Sequence, residues 1–346
     1  MLFWRRDKRD RVDLGFAVFE LTDACNQACR FCYNYFKGDA GPCAVAPPDY
    51  RFARRTLKRL LRQANIGSIS FSGGEPMLMP KIHDLALKAR FRGANVNLLT
   101  NGTLLTDNDI AIFNDIGLGK IQIPILADYA ELHDHITQLA GSWDRAMRAA
   151  RRVAATKQDW LMPVFILSRL NVDRIEPALE LYSELGASYI MCNRFNIGGL
   201  GKYHAEELNL SHEELRDAFR RVDVKASELG MRVHSGVCTP MCLLDPKDYP
   251  NIMFSHCSTD IVQRPLTINY RGEVRFCNHS PRVLGNIYDE SLADIIARAN
   301  DDGYFTTRPD RCVGCKLWTR CRGGCRAASE QLYGTFDRVD PVMDLK

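Results

Sequence analysis

Three cysteines, Cys25, Cys29 and Cys32, follow directly on the first apolar strand of this chain, with three residues and then two between them. Thirteen cysteines are present in all, most of them in two clusters of short spacing. We read the chain as cytoplasmic. Its N-terminus, Met1 to Val12, is charged and lacks the apolar stretch of a secretory signal. No apolar run approaches the roughly 18 to 20 residues needed to span a bilayer. That compartment keeps thiols reduced, so the cysteines do not read as a disulfide framework. Their spacing reads as metal ligation.

An apolar fraction of 46% with 25% charged residues is ordinary for a folded globular protein. A net charge of +4 is too small to argue for nucleic acid, and no membrane association is expected. The run Arg5, Arg6, Lys8, Arg9 and Arg11, interrupted by Asp7 and Asp10, reads as a solvated arm over residues 1–13, with docking of an acidic peptide as the alternative.

From Gly15 onward, short apolar strands alternate with amphipathic helices. The strand candidates are Gly15–Leu21, Ser68–Phe71, Asn95–Leu99, Lys120–Leu126, Leu161–Leu167 and Ser188–Cys192. Helical patterns lie between them at Tyr50–Ala64, Lys81–Phe91, Trp143–Thr156 and Val172–Leu185, the last placing Ile175, Leu179, Tyr182 and Leu185 on one face. Parallel neighbours need crossovers, so six such units predict an α/β fold: a partial (β/α)6, TIM-like barrel, open on one side, over residues 14–231. Chemistry in such folds sits where the loops leave the C-terminal ends of the strands. A further helix pattern spans Ser211–Leu229. Beyond it, residues 232–346 form a small cysteine-rich unit, with a β-hairpin expected around Asn269–Gly272.

Three thiolates on one short loop suit an iron–sulfur cluster in which one iron lacks a protein ligand. A zinc site with a distant fourth ligand is the alternative. Cys25-Asn-Gln-Ala-Cys29-Arg-Phe31-Cys32 resembles the cluster motif of the radical S-adenosylmethionine (SAM) superfamily. Gly73-Gly74-Glu75-Pro76 after the second strand is similar to that family's Gly-Gly-Glu-Pro motif, and Thr100-Asn101-Gly102 after the third also fits. The resemblance implies a [4Fe–4S] cluster on the three cysteines and SAM bound at its open iron. It implies SAM contacts from Phe31, Gly73, Gly74, Glu75, Pro76, Thr100, Asn101 and Ser168. Two glycines would let backbone approach the methionine end of SAM, and a carboxylate suits its ammonium. For Ser168 a local structural role is the alternative.

The chain departs from the family after the fourth strand, where Pro124 to Ala127 stands in place of a common Ser-Leu-Asp-Gly. His133-Asp134 and Gly141-Ser142-Trp143 fit, but Thr137-Gln138 replaces an Arg-Gly pair, which puts a SAM or substrate contact there in doubt.

The second cluster, Cys257, Cys277, Cys312, Cys315, Cys321 and Cys325, resembles the SPASM domain of radical SAM enzymes; a zinc ribbon is the alternative. The resemblance implies one or two auxiliary iron–sulfur clusters, one on Cys257, Cys277 and Cys325, the other on Cys312, Cys315, Cys321 and a seventh cysteine near the C-terminus. Met343 stands where that seventh cysteine is expected, leaving Asp340, Asp344 or an open iron. A further cysteine often found shortly after the first is replaced by Val262 or Gln263, leaving Cys238, Cys242, His256 or an open iron for the other cluster. Cys43 and Cys192 fit neither. For Cys192, core packing and a catalytic role are both open.

The expected activity is reductive cleavage of SAM to a 5′-deoxyadenosyl radical that abstracts hydrogen from a ribosomally made peptide, leading to a cross-link or related change. Expected partners are the peptide, a separate leader-binding protein and a reductant such as flavodoxin or ferredoxin. The runner-up is a dehydrogenase or decarboxylase of a sugar or antibiotic precursor, and a third reading is an iron–sulfur carrier or scaffold. The sulfatase-maturating branch is disfavoured because Asn278, not an acid, follows Cys277. No catalytic base is assigned.

Overall fold

The computed structural model describes residues 11–37 and 48–345, so Arg5, Arg6, Lys8, Arg9 and Cys43 lie outside the described residues. The remaining member of the basic run, Arg11, is not a solvated group. Its guanidinium donates to the carbonyls of Leu61 (3.0 Å) and Ala64 (2.6 Å) at the end of a helix.

Eleven strands form one sheet among the described residues: β1 (Val12–Glu20), β2 (Ala64–Ser72), β3 (Asn95–Leu99), β4 (Ile121–Pro124), β5 (Leu161–Leu167), β6 (Tyr189–Arg194), β7 (Arg232–Ser235), β8 (Ile252–Phe254), β9 (Leu266–Asn269), β10 (Glu273–Arg275) and β11 (Val283–Asn286). Their order is β11-β10-β9-β1-β2-β3-β4-β5-β6-β7-β8, and β1 to β8 pair in parallel. The sheet is open, as a partial barrel requires. It is longer than the six expected strands because β7 and β8 continue it past β6, and β9 adds in parallel to the other side of β1. The predicted hairpin is the antiparallel β9–β10 pair. Both flanks of the barrel sheet are thus built from residues after 231.

The helices form where the apolar spacing places them. Residues Tyr50–Gln63 start at Asp49, whose carboxylate caps the amides of Arg51 (2.8 Å) and Phe52 (3.1 Å). Ala53, Leu57, Leu60 and Leu61 recur on one face and are buried. Removing each leucine side chain from water contributes roughly 1.5–3 kcal/mol. Residues His212–Glu228 open on a reciprocal capping box between Ser211 and Glu214.

Register decides where the loops emerge. β1 and β2 run in step from Val12↔Ala64 to Glu20↔Ser72, so both end at the same level. The cysteine loop after β1 and the Gly73–Pro76 loop after β2 therefore leave the sheet side by side.

Candidate active site and auxiliary thiol groups

The two loops are fastened by backbone hydrogen bonds. Leu21 N donates to Ser72 O (2.9 Å), Gly74 N to Thr22 O (2.7 Å) and Glu75 N to Ala24 O (2.7 Å). This contact is what demands both glycines. A Cβ on Gly73 would lie 2.3 Å from Thr22 O, and one on Gly74 2.1 Å from Ala24 O. Gly73 also has φ +130°, a conformation side chains rarely adopt. The close approach is thus to the cysteine loop.

Glu75 is buried and engaged within the protein. Its Oε1 accepts from Thr100 Oγ1 (2.6 Å) and Met77 N (2.9 Å), and its Oε2 from Asn101 N (2.8 Å). The Met77 bond caps the short 3-10 turn Pro76–Leu78. Burial raises the Glu75 pKa, opposed by these hydrogen bonds. Asn101 Nδ2 donates to Asn26 Oδ1 (2.8 Å), and Asn26 Nδ2 to Thr103 Oγ1 (2.8 Å). One network therefore joins the ends of β2 and β3 to the first gap of the cysteine motif. Asn26 and Thr103 carry no signal in the sequence beyond their neighbours.

Cys25 is buried, while Cys29 and Cys32 are partly exposed. Burial pushes the Cys25 thiol up, and it pushes Cys29 well up with help from its two neighbouring thiols. Cluster binding must deprotonate them. Lys37 brings the compensating charge. It is buried, and its ammonium donates to Gln27 O (2.9 Å). Burial alone would lower its pKa, but the neighbouring thiols, Cys32 foremost, raise it on balance.

Phe31 is half-buried, and the segment beneath it is held close by Gly201, whose amide donates to Cys32 O (3.1 Å). Ser168, at the end of β5, is buried. Its amide (2.9 Å) and hydroxyl (3.0 Å) both donate to Asn171 Oδ1, while Asn171 Nδ2 reaches Leu126 O and Ile166 O at 2.9 Å each. Ile125, Leu126 and Ala127, in the stretch that departs from Ser-Leu-Asp-Gly, are fully buried. Asp134 accepts from Ser142 Oγ and Trp143 N, each at 2.8 Å, and so starts the helix Ser142–Thr156. Cys192 is fully buried among the core apolar residues, and burial pushes its thiol up. That is the packing role.

The C-terminal cysteines fall into two groups. Cys277 and Cys238 pack against the buried group of Cys325, Ala327 and Ala328. The Cys238 thiol hydrogen-bonds Cys257, which holds Cys257 low and Cys238 high. Arg264 adds a donor to Cys257 Sγ (3.1 Å). Asn196 Nδ2 reaches Cys325 Sγ (3.4 Å) and His279 Nδ1 (2.6 Å). The other ring nitrogen of His279 meets Ile197 O (3.0 Å), and burial pushes that histidine down to about 3. His279 is therefore a neutral hydrogen-bonding group, and His256 is exposed. In the second group, Cys312 lies within electrostatic reach of the Cys321, Cys315 and Cys242 thiols, and burial pushes its own thiol up.

Gln331 couples the first of these groups to the cysteine loop. Its Nε2 donates to Tyr33 O (2.9 Å) and His279 O (2.7 Å), and its Oε1 accepts from Gly199 N (2.8 Å). Asn278, beside Cys277, donates to the Tyr33 hydroxyl. Neither link is visible in the sequence.

A parallel half-barrel with three thiols on its first loop, and further thiols grouped beside it, defines an iron–sulfur enzyme. Residues 19–197, just over half of the chain, match the radical SAM superfamily, and the chain belongs to it. Residues 257–325 match SPASM, an iron–sulfur cluster-binding domain. The chain is 27% identical over 337 residues to the PqqA peptide cyclase of Gluconobacter oxydans (strain 621H), covering 94% of this chain and 89% of that protein. In fold it is similar to anSMEcpe with bound AdoMet (TM-score 0.72, 16% identity, 95% of this chain and 91% of that one). It is also similar to Streptococcus suis SuiB bound to precursor peptide SuiA (TM-score 0.71, 15% identity, 95% and 75%). Its cofactors are SAM and a [4Fe–4S] cluster, with auxiliary iron–sulfur clusters in the SPASM region. No helix among the described residues is long and apolar enough to cross a membrane.

The donor sets fit these groups. Among the described residues no three His, Cys, Asp or Glu side chains converge as one metal ion would require. A single ion takes thiolates at about 2.3 Å from one point, whereas a cluster of several irons gathers them from a wider space. The fully buried Tyr304 hydroxyl, beside Cys277 and Cys257, has no hydrogen-bond partner, as expected of a donor that faces cluster sulfur.

Proposed function

We propose that this enzyme modifies a ribosomally made peptide by forming a cross-link between two of its residues. The observation that carries this reading is similarity along 94% of the chain to proteins named peptide cyclases. Cys25, Cys29 and Cys32 would hold the iron–sulfur cluster, whose chemistry when bound is to pass one electron to SAM, breaking its sulfonium bond to give methionine and a 5′-deoxyadenosyl radical. A cross-link removes two hydrogens from the peptide: one as an atom to that radical, the other as a proton and an electron, and an auxiliary cluster held by the C-terminal cysteines would be the acceptor for that electron.

In this reading the protein's own groups position and exclude. Gly73 and Gly74 clamp the cysteine loop, and Glu75 holds Thr100 and Asn101 in place as the floor of the SAM site. Phe31, Pro76 and Ser168 complete its wall, and the buried Ile125–Ala127 run excludes water on the β4 side. Lys37 balances thiolate charge. The barrel (14–231) and auxiliary unit (232–346) act as one frame. A reductant such as flavodoxin or ferredoxin and a separate leader-binding protein belong to the same reading, with all of them in the cytoplasm.

The test is anaerobic reconstitution, then reductant, SAM and the short peptides encoded beside the gene. 5′-Deoxyadenosine formation that needs Cys29, with a peptide product lighter by two hydrogens, supports the reading. Deoxyadenosine with no peptide change, but with oxidation or decarboxylation of a sugar or antibiotic precursor, replaces it.

A further inference from the structure

We propose that Cys238 and Cys242 are the fourth thiolate ligands of the two auxiliary clusters, one to each, so that neither cluster has an open iron. The first set is Cys238, Cys257, Cys277 and Cys325; the second is Cys242, Cys312, Cys315 and Cys321. This rests on the iron–sulfur reading of the SPASM region.

The geometry comes from one loop. Residues 236–251 join β7 to β8, and their start is fixed from β6. Asn193 Oδ1 accepts from Gly236 N (2.7 Å) and Val237 N (3.3 Å). Arg194 donates to Thr239 Oγ1 (3.0 Å) and to Cys238 O (3.2 Å). The loop then crosses the Cys321–Cys325 segment. Pro240 lies so close to Gly324 that a Cβ there would come within 2.7 Å of its ring. Met241 N meets Cys321 Sγ at 3.3 Å.

Pro240 and Met241 thus sit on the segment that separates the two thiol groups. Cys238, before the crossing, falls with Cys257, Cys277 and Cys325. Cys242, after it, directly follows Met241, whose amide meets Cys321 Sγ, and lies within electrostatic reach of Cys321 and Cys315. Two Cys-x3-Cys pairs, Cys238/Cys242 and Cys321/Cys325, face each other, and each gives one thiol to either side.

The other candidates are occupied. Asp340 is buried, accepts from Cys325 N (2.7 Å) and Val342 N (2.9 Å), and pairs with Arg194. Asp344 accepts from the Tyr333 hydroxyl. Met343 is packed in the core. Four-thiolate ligation leaves the auxiliary clusters to carry electrons, and directs SAM to the three-cysteine site alone.

The experiment uses the full chain, purified anaerobically, with Cys25, Cys29 and Cys32 replaced by alanine so that only auxiliary iron remains. In that background Cys238→Ala and Cys242→Ala are compared with Cys192→Ala by iron and sulfide content and by the EPR spectrum after reduction. Each ligand variant should change one reduced signal and lower the remaining iron by up to about half, and the two should affect different signals. Cys192→Ala should alter neither. Unchanged iron and spectra in both variants overturn the proposal. Loss of all iron already in the parent background overturns the SPASM reading itself, which separates the two failures. If a ligand variant does not fold, the parent decides: added 2-mercaptoethanol or imidazole should leave its signals unmoved. A shift of either signal reveals an open iron and refutes full ligation.

Discussion

Arg194, the last residue of β6, forms a buried ion pair with Asp340 near the C-terminus, the two side chains being 3% and 1% exposed. The same carboxylate oxygen accepts from the amide of Cys325 (2.7 Å). One contact therefore binds the barrel, the chain's tail and an auxiliary thiol. Asp340→Ala would leave a buried guanidinium without its partner, which costs about 3–5 kcal/mol. We expect a lower urea midpoint and reduced auxiliary iron, while Asp344→Ala, at the exposed neighbour, should change neither.

Glu75 should act through position. Glu75→Gln exchanges one acceptor oxygen for an amide that faces N–H or O–H donors, and each disrupted buried group costs about 1–3 kcal/mol. Deoxyadenosine formation should fall at least about tenfold, with iron content close to that of the parent. Loss of iron equal to the loss of activity would instead show a purely structural role.

Gly74→Ala places a methyl 2.1 Å from Ala24 O, and backbone cannot yield as a side chain can. Overpacking costs about 1–3 kcal/mol or more. The strain falls on the cysteine loop, so iron at the SAM-cleaving site should drop while the auxiliary EPR signals persist.

His133 carries a pH signature. It is buried, its Nδ1 accepts from Leu126 N (3.1 Å), and burial pushes its pKa down to about 4 from 6.5. Above pH 6.5 it is neutral whether folded or unfolded and adds no slope. Between 6.5 and 4 the unfolded chain takes a proton that the folded one refuses, so stability falls as pH falls. The full window amounts to roughly 3 kcal/mol. Urea midpoints measured anaerobically from pH 7 to 5 should decline in the parent and decline less in His133→Asn, whose amide oxygen keeps an acceptor for Leu126.

Much of the fold can be read along the chain. The edges of β3 and β5 coincide with their apolar runs, because a buried parallel strand must be apolar on both faces. The cysteine motif is equally local: three ligands on one loop need only sequence spacing. The Gly-Gly-Glu-Pro residues were recognisable, but their contacts were not, since no local pattern shows that Thr22 and Ala24 lie opposite them or that Thr100 and Asn101 take up the Glu75 carboxylate. The Ser168 hydroxyl likewise found Asn171, three residues on. In the sequence Cys238 and Cys242 are candidates for a fourth ligand to one auxiliary cluster, alongside His256 or an open iron, with nothing to divide them between the two. Their separation onto opposite sides of Cys321–Cys325 depends on β7 and β8 extending the sheet and on Pro240 meeting Gly324. The sequence by itself determined which elements form and which thiols share a loop, because those follow from nearest-neighbour sterics and periodic burial. The tertiary structure alone decided which distant groups meet, because that depends on strand register and on packing between segments far apart in the chain.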